Sequence, residues 1–169
     1  PWVIAGIDAL IINHGRYDRI DAKELDLEHL RRTMSTNFEG AFLTWDAVKS
    51  KLKSKARICV IGSQLGTKGS PHGADYSASK AALAIWARSL AQSLAPEGKR
   101  VNVVAPGFVD TDILAGDSPE KRASRENEVP LKRIGTPQDI ADVVSFLVGD
   151  KSSYITGAVI HVNGGLYLP

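Results

Sequence analysis

Short apolar runs rich in β-branched residues alternate with longer stretches of helical periodicity along the chain. Runs this apolar are typical of strands covered on both faces, as in a parallel sheet. The chain contains four of them, at Ile7–Ile12, Arg57–Ile61, Val101–Val104 and Ala158–Val162. The pattern therefore predicts four parallel strands.

The first helical stretch lies between the first two predicted strands. Its apolar positions recur at steps of three and four, and Asp26 before it is a suitable N-cap. Asn37 and Gly40 in its middle are weak helix formers, so we expect a kink there that releases a carbonyl to bind water. The apolar stripe consists of Leu27, Leu30, Met34, Phe38, Ala41, Trp45, Val48 and Leu52.

A second helix is predicted to begin near Asp75 and to end at Pro96 and Gly98. Its predicted apolar face consists of Ala78, Ala81, Ala82, Ile85, Ser89, Leu90 and Leu94.

A third helix is predicted to begin at Thr136. Thr136 is the N-cap, Pro137 takes the first helical position, and Asp139 can reach back to the cap as in a capping box. Gly149 ends the helix. Its predicted inner face consists of Ile140, Val143, Val144, Leu147 and Val148.

This order of strands and helices is that of a doubly wound α/β fold with right-handed crossovers. The length of 169 residues and the apolar content of 43% fit one globular domain over residues 1–169. The segment Asp110–Pro130 is the exception, because it is long, charged and without a clear strand. We interpret it as a short helix or a mobile flap over a site, with a solvated surface loop as an equal alternative.

Charge and composition exclude several classes of protein. The 21 Lys and Arg residues nearly balance 19 Asp and Glu residues, which argues against nucleic acid as the main partner. No apolar run approaches the ~20 residues that a membrane-spanning helix needs. A single cysteine, Cys59, cannot form an internal disulfide, so we expect a reducing, cytoplasmic environment. The chain begins at Pro1 and its only methionine is Met34, so we expect a processed chain or a piece of a longer one.

Small and polar residues follow three of the predicted strands. They lie at Asn13–Gly15, Gly62–Gln64 and Pro106–Thr111. In open parallel sheets, ligands bind outside the carboxyl ends of the strands. The sequence therefore predicts a ligand site at this edge of the sheet.

Tyr76 and Lys80 are four residues apart on the second predicted helix and so share a face. A free tyrosine has a pKa of ~10, and a nearby ammonium group lowers that pKa by favouring the phenolate. Such a pair suits a general acid or base, although the same spacing also arises by chance. Ser63, thirteen residues before Tyr76, and Asn37 inside the long helix favour the functional interpretation.

Together these segments resemble the short-chain dehydrogenase/reductase family, and within it most closely the beta-ketoacyl-(acyl carrier protein) reductases. Tyr76–Lys80 is the Tyr-x-x-x-Lys motif in wording typical of the family. The resemblance covers nearly the whole chain, with the motifs in order and at matching spacings. The other matching segments are Gly6–Gly15, Met34–Phe38, Ile61–Ser63, Arg100–Gly107 with Thr111, and Tyr154–Gly157 to Val162–Gly165.

The resemblance implies both a fold and a reaction. The fold would be the C-terminal two-thirds of a Rossmann-like doubly wound parallel sheet, with strands four to seven of the family. In the reaction, NAD(P)H gives a hydride to a carbonyl carbon, such as that of a beta-ketoacyl thioester. Tyr76 gives its proton to the carbonyl oxygen and Ser63 orients that oxygen. Lys80 lowers the Tyr76 pKa and holds the nicotinamide ribose, and Asn37 supports a water that restores the proton.

The implied cofactor is NADP or NAD. Asn13 and Gly15 are expected along its adenosine side, the Val109 main chain at its carboxamide, and Thr111 at its carboxamide or pyrophosphate. No metal site is expected. The complete expected cofactor-binding set is Asn13, Gly15, Tyr76, Lys80, Pro106, Gly107, Val109 and Thr111.

The sequence departs from the family at its start. The Gly-rich turn that binds the pyrophosphate and the residue that selects NAD or NADP have no counterpart in Pro1–Gly6. We therefore expect a fragment that binds nucleotide weakly or not at all, with Asp8–Ile12 as an exposed apolar edge. His14 replaces a small residue near the cofactor path, and His72 is expected to be a solvated loop residue.

Several alternatives remain beside a reductase. A serine hydrolase is disfavoured because Ile61–Leu65 lacks the Gly-x-Ser-x-Gly motif, whereas a truncated, silent domain that associates with intact homologues stays open. Lys49–Lys55 is either a solvated helix end or a docking patch for an acidic acyl carrier protein. The resemblance also implies a homotetramer. Its contacts would be the helices near Asp26–Leu52 and Asp75–Ala95, with small residues Ala78, Ala81 and Ala84, and the C-terminal strand.

Overall fold

A four-stranded parallel sheet forms the centre of the protein, whose structure is a computed structural model that describes residues 6–169. The strands lie in the spatial order β1-β2-β3-β4, and every neighbouring pair is parallel. This arrangement confirms the predicted α/β class. The strands are β1 (Ile7–Ile12), β2 (Leu52–Ile61), β3 (Arg100–Pro106) and β4 (Val159–Val162).

Helices cover both faces of this sheet. None of the helices within residues 6–169 is long and apolar enough to cross a membrane. The helices are α1 (Leu27–Met34), α2 (Gly40–Val48), α3 (Leu65–Lys68), α4 (Ala74–Leu94), α5 (Pro119–Glu128) and α6 (Pro137–Val148).

Alternate strand positions point into two hydrophobic clusters, one on each face of the sheet. Ile58 and Val101, opposite each other in β2 and β3, pack in one cluster with Leu83 of α4. Cys59 packs in the other cluster with Leu147 of α6. The Cys59 side chain is fully buried, and burial raises its pKa to about 12. Its thiol therefore remains protonated and serves as a packing group.

The first predicted helix is interrupted by a π-helical turn at Ser35–Glu39. Asp26 caps α1 as predicted, by accepting a hydrogen bond from the His29 N–H at 2.8 Å. At the other end of the interruption, the Gly40 N–H bonds to the carbonyl five residues earlier, which is the π spacing. The expected irregularity at Asn37 and Gly40 thus takes the form of one extra residue in the helix.

The same helical stretch ends earlier than predicted. α2 stops at Val48, a 3₁₀ turn follows at Lys49–Lys51, and Leu52 begins β2. β2 is correspondingly longer than the predicted strand, because Leu52 and Ala56 are buried and Leu52 already pairs with Ile7. Leu52 therefore serves a strand and not the helical stripe.

The predicted apolar face of α4 is only partly buried. Ala78, Ile85 and Ser89 are exposed, although Leu90 and Leu94 contact the core at its edge. The helix is rotated so that several polar residues face the sheet, and a second apolar stripe is left on the outside. The buried residues are Asp75, Tyr76, Ser77, Ser79, Lys80, Leu83, Ala87 and Ala91.

The charged segment Asp110–Pro130 forms the short helix that was one interpretation of it. Ser118 caps α5 by accepting from the Lys121 N–H, and Pro119 takes the first helical position, where a missing N–H costs nothing. An ion pair of 2.7 Å joins Arg122 in this helix to Asp110 in the preceding loop.

The capping box predicted for α6 is confirmed. The Thr136 hydroxyl accepts from the Asp139 N–H at 3.2 Å, and the Asp139 carboxylate accepts from the Thr136 N–H at 2.6 Å. Asp139 also binds the Arg133 guanidinium at 2.7 Å. These hydrogen bonds hold the pKa of Asp139 well below its usual range.

We expect Thr136→Ala to lower the free energy of unfolding by ~1 kcal/mol, because the N-cap hydroxyl satisfies an otherwise unpaired helix N–H. Urea denaturation of both proteins measures the difference. Thr67→Ala, at an exposed position in α3, is the matched control and should change stability by less. Equal losses in the two variants would contradict the role of the cap.

Arg100 closes the end of α6 from the first residue of β3. Its guanidinium donates to three main-chain carbonyls, those of Leu147 at 3.0 Å, Gly149 at 2.9 Å and Ile155 at 3.2 Å. The side chain is buried, and burial lowers its pKa. The carbonyls of Leu147 and Gly149 lie at the C-terminus of α6, where helix carbonyls lack partners within the helix.

β1 is an edge of the sheet formed by residues 6–169. Ile11 has an exposed side chain, and Asp8 forms an ion pair with Lys53 of β2 at 2.8 Å. Charged side chains of this kind discourage edge-to-edge pairing.

Candidate active site

A cleft of about 780 Å³ opens at the carboxyl ends of the strands. It brings together all but one of the residues that the sequence analysis assigned to catalysis or cofactor binding. Asn37 is the exception, since it lies behind the cleft wall. The predicted residues that line the cleft are Asn13, Gly15, Ser63, Tyr76, Lys80, Pro106, Gly107, Val109 and Thr111.

Lys80 is buried beside Tyr76, one helical turn further along α4. Its ammonium donates to the Ile61 carbonyl at 2.9 Å and lies 5.7 Å from the centre of the Tyr76 ring. Burial lowers the pKa of Lys80 to about 8. The end of β2 therefore fixes a cation next to the phenol of Tyr76.

Tyr76 is held in the first turns of α4 with its ring nearly buried. Burial raises the pKa of its phenol, the nearby Ser63 side chain opposes that rise, and the neighbouring Tyr17 adds to it. The net direction is upward, so the phenol carries its proton at neutral pH. The protonated phenol can therefore act as an acid, and the phenolate that it leaves must be stabilised by a neighbouring group.

Ser63 lies on a loop that hydrogen bonds to β3 on both sides. The Gly62 N–H bonds to the Val104 carbonyl at 2.7 Å and the Gln64 N–H to the Pro106 carbonyl at 3.0 Å. The Ser63 hydroxyl accepts from the Leu65 N–H at 3.1 Å, which leaves its proton available to donate. A serine in this place can donate to an oxygen bound near Tyr76.

Asn37, in the π-helical turn, has a fully buried side chain. Its amide nitrogen donates to the Arg16 carbonyl at 3.0 Å and the Ser79 hydroxyl at 2.9 Å. Its amide oxygen accepts from the Arg16 N–H at 2.6 Å. The side chain therefore ties the loop after β1 to α4, and both of its donor hydrogens are used.

Two glycines shape the part of the cleft that the sequence analysis assigned to the cofactor. A Cβ at Gly15 would lie 3.1 Å from the Lys80 ammonium, and one at Gly107 would lie 2.7 Å from the Asn163 Cβ. Val109 is held by a parallel bridge to Gly135. The absence of a side chain at Gly15 and Gly107 thus allows close packing against Lys80 and Asn163 at the cleft wall.

Thr111, His14 and His72 lie at different distances from the cleft. The Thr111 hydroxyl is exposed and lies 3.4 Å from the Val109 carbonyl. His14 lies against Gly40, where a Cβ would come within 2.9 Å of its Nε2, and it does not line the cleft. His72 lies at the cleft rim, with Nδ1 3.5 Å from Asp21. Within residues 6–169, Ser63 has no hydrogen bond to a histidine of the kind a serine hydrolase requires.

The structure also places residues in the site that the sequence analysis missed. Tyr17 stacks on Tyr76 with ring centroids 4.5 Å apart. Arg125 of α5 lies over the Phe108 ring at 4.5 Å and forms a buried ion pair with Asp117. The sequence gives little indication of Tyr17 and Arg125, because one lies in a loop and the other in a charged helix, and neither belongs to a recognisable motif.

The lysine-rich segment lies away from this cleft. Lys49 pairs with Asp46 at 2.6 Å and Lys53 pairs with Asp8 at 2.8 Å. A docking patch for an acidic carrier protein stays a prediction.

Comparison with known proteins agrees with this geometry. A family model described as "Enoyl-(Acyl carrier protein) reductase" matches residues 3–167. The 3-oxoacyl-[acyl-carrier-protein] reductase of Escherichia coli K12 is 40% identical over 165 residues, which cover 96% of this chain and 67% of the relative. That of Salmonella typhimurium is 44% identical over 137 residues, which cover 80% of this chain and 56% of the relative. The chain thus spans between about half and two thirds of the length of these curated relatives.

Two solved structures share the fold. A short-chain dehydrogenase/reductase from Brucella melitensis, described as glucose/ribitol dehydrogenase, has a TM-score of 0.92 and 34% identity. The match covers 97% of this chain and 66% of that one. A short chain dehydrogenase family protein from Francisella tularensis has a TM-score of 0.89 and 33% identity, with 96% and 72% of the two chains covered. From its motifs, its sheet and these matches, the chain belongs to the short-chain dehydrogenase/reductase family.

Proposed function

We propose that the protein reduces a carbonyl to an alcohol with NADPH or NADH, and that its substrate is a 3-oxoacyl thioester. The observation that carries the proposal is the cluster of Ser63, Tyr76 and Lys80 in one cleft at the carboxyl edge of the sheet. The curated relatives named for 3-oxoacyl-carrier-protein reduction support the substrate class.

The protein supplies the proton and the alignment. Ser63 donates a hydrogen bond to the substrate oxygen and holds it beside Tyr76. The Tyr76 hydroxyl gives its proton to that oxygen as negative charge develops there. The ammonium of Lys80, 5.7 Å from the centre of the Tyr76 ring, would stabilise the phenolate that results.

The cofactor supplies the hydride when it is bound. Lys80 would hold the nicotinamide ribose. Gly15, which was expected on the adenosine side, lies beside the Lys80 ammonium and would therefore face the same ribose. Pro106, Gly107 and the main chain of Val109 would hold the carboxamide. Asn13 and Thr111 lie on the expected path toward the rest of the cofactor.

Reduction of acetoacetyl-coenzyme A by the full natural chain tests this function. We expect loss of the absorbance of NADPH or NADH that depends on both the enzyme and the thioester. A protein that is folded but oxidises neither nucleotide with any 3-oxoacyl thioester would contradict the proposal. That result would favour a silent domain that associates with intact homologues.

The pH dependence of reduction should show the ionisation of Lys80. The pKa of this lysine is about 8, so its charge is present below that pH and is lost above it. kcat/KM is therefore expected to be level at neutral pH and to fall as the pH rises through about 8. In Lys80→Arg, whose guanidinium stays charged, the falling limb should disappear even though the rate is lower. Lys68→Arg, at an exposed lysine on the cleft rim, should keep the limb.

We also propose that the chain forms a homo-oligomer, a tetramer by resemblance to the family, through the outer faces of α2 and α4. Phe42, Leu43 and Ile85 present exposed apolar side chains there, next to the small residues Ala78, Ala81 and Ala84. Burial of such side chains favours association. Light scattering should show a mass several times that of one chain, and Ile85→Lys should lower it. A monomeric wild-type protein would contradict the proposal.

A further inference from the structure

A second tyrosine lies against the proposed proton donor. The ring of Tyr17, which is half-buried in the cleft wall, stacks on the Tyr76 ring with centroids 4.5 Å apart and an angle of 34° between the planes. The separation is at the short end of the range for aromatic pairs. The Tyr17 hydroxyl donates to the His72 carbonyl at 3.0 Å, so it does not point at a substrate oxygen beside Ser63.

Tyr17 belongs to a segment, residues 16–22, that crosses the cleft and is fixed at both ends. At its start, the Arg16 N–H and carbonyl both bond to the buried side chain of Asn37, at 2.6 Å and 3.0 Å. At its end, the Ala22 N–H bonds to the Pro71 carbonyl at 2.8 Å. The position of the Tyr17 ring is therefore set by the π-helical turn on one side and by the loop before α4 on the other.

Gly73, at the start of α4, leaves room for this ring. A Cβ at Gly73 would lie 2.5 Å from the Tyr17 Cε2 and 3.2 Å from its Cζ. The absence of a side chain at Gly73 is thus needed for the Tyr17 ring.

We propose that Tyr17 is a positioning residue for Tyr76, whose ring fixes the plane of the Tyr76 phenol and keeps its hydroxyl aimed at the substrate oxygen. This inference rests on the proposed function, in which Tyr76 is the proton donor. The Lys80 ammonium lies over the Tyr76 ring at a longer distance, 5.7 Å from its centre, and Ser63 acts on the Tyr76 hydroxyl. Tyr17 covers a face of the ring, where rotation about the Cβ–Cγ bond is stopped.

The stacked ring also excludes water from the donor. Burial and the adjacent phenol of Tyr17 raise the pKa of Tyr76, so the packing keeps the donor protonated. Loss of the ring is expected to act on the chemical step more than on substrate binding, because the Tyr17 hydroxyl is directed at the main chain.

The test compares Tyr17→Phe, Tyr17→Ala and Gly73→Ala in the full natural chain, with acetoacetyl-coenzyme A and NADPH. Tyr17→Ala should lower kcat by ~10- to 100-fold with a much smaller change in KM, since small misplacements of a reacting group have effects of this size. Tyr17→Phe keeps the ring and should restore most of kcat. Tyr154→Ala, at a fully exposed tyrosine, is the matched control for removal of a phenol.

Gly73→Ala moves the same ring without changing Tyr17. It should also lower kcat. This effect should vanish when Gly73→Ala is combined with Tyr17→Ala, because the added Cβ then has no ring to collide with. If Tyr17→Ala fails to fold, the single variant Gly73→Ala still tests the inference. Gly73→Ala alone should then lower kcat in a protein with the unfolding temperature of the wild type.

Four results would overturn the inference. They are an undiminished kcat in Tyr17→Ala, a loss confined to KM, a Tyr17→Phe variant as slow as Tyr17→Ala, and additive losses in the double variant. Failure of the proposed function is distinguishable, because the wild-type protein itself would then show no oxidation of NADPH that depends on the thioester. If Tyr76→Phe is inactive and the Tyr17 variants are unimpaired, only the positioning role is wrong.

Discussion

Replacement of Tyr76 by phenylalanine is expected to slow carbonyl reduction by ~10³-fold, within the range for loss of a general acid. The change removes one hydroxyl and leaves the ring. The ring still packs against Tyr17 and beneath the Lys80 ammonium, so the cleft should keep its shape. What is lost is the proton for the developing alkoxide, since Ser63 can orient that oxygen but is too weak an acid to protonate it.

Steady-state kinetics with acetoacetyl-coenzyme A measures the rate, and quenching of protein fluorescence by NADPH measures cofactor binding. Nucleotide binding in Tyr76→Phe should stay within a few-fold of the wild type while kcat falls. The matched control is Tyr167→Phe, which removes a phenol in contact with His161 outside the cleft. A rate in Tyr76→Phe within tenfold of the wild type would mean that another group supplies the proton.

Arg100→Met is expected to lower the free energy of unfolding by ~3 kcal/mol, because buried acceptors lose the charged donor that satisfies them. Methionine fills much of the same volume. The carbonyls of Leu147, Gly149 and Ile155 nevertheless lose the guanidinium that bonds to them, and the end of α6 loses its attachment to β3. Activity should be affected only through the amount of folded protein, since Arg100 does not line the cleft.

Guanidinium chloride denaturation measures this loss. Arg57→Met is the control, because Arg57 lies one strand away and pairs with an exposed carboxylate, that of Asp150. Ion pairs near the surface contribute little, so its loss should be below ~1 kcal/mol. Similar losses in the two variants would show that Arg100 contributes no more than a surface charge.

Much of the fold could be predicted because local signals and burial agree. The strand at Ile7–Ile12 and the capping box at Thr136 follow from a short apolar run and from side chains that bond within one turn. The active-site pair could be predicted for the same reason, since the spacing between Tyr76 and Lys80 is a property of one helix.

The remainder depends on contacts between distant segments. The apolar face of α4 was predicted from its alanines, but the helix turns Lys80 inward because its ammonium bonds to the end of β2, and Tyr76 lies on the same side. The segment of residues 16–22 could not be placed, because its position comes from the side chain of Asn37, 21 residues away from Arg16. A single sequence carries no sign of such a bond.

The extra residue in the π-helical turn at Ser35–Glu39 costs helix stability, but it places Asn37 where its side chain bonds to Arg16 and Ser79. Removal of one residue from this turn would allow α1 and α2 to join as a regular helix, with a full set of shorter-range hydrogen bonds. It would also rotate the two halves by ~100° relative to one another, since each α-helical residue turns by that angle. Asn37 would then lose Arg16 and Ser79. Selection for stability alone would favour the deletion, so persistence of the extra residue in related sequences would record selection for the chemistry of the cleft.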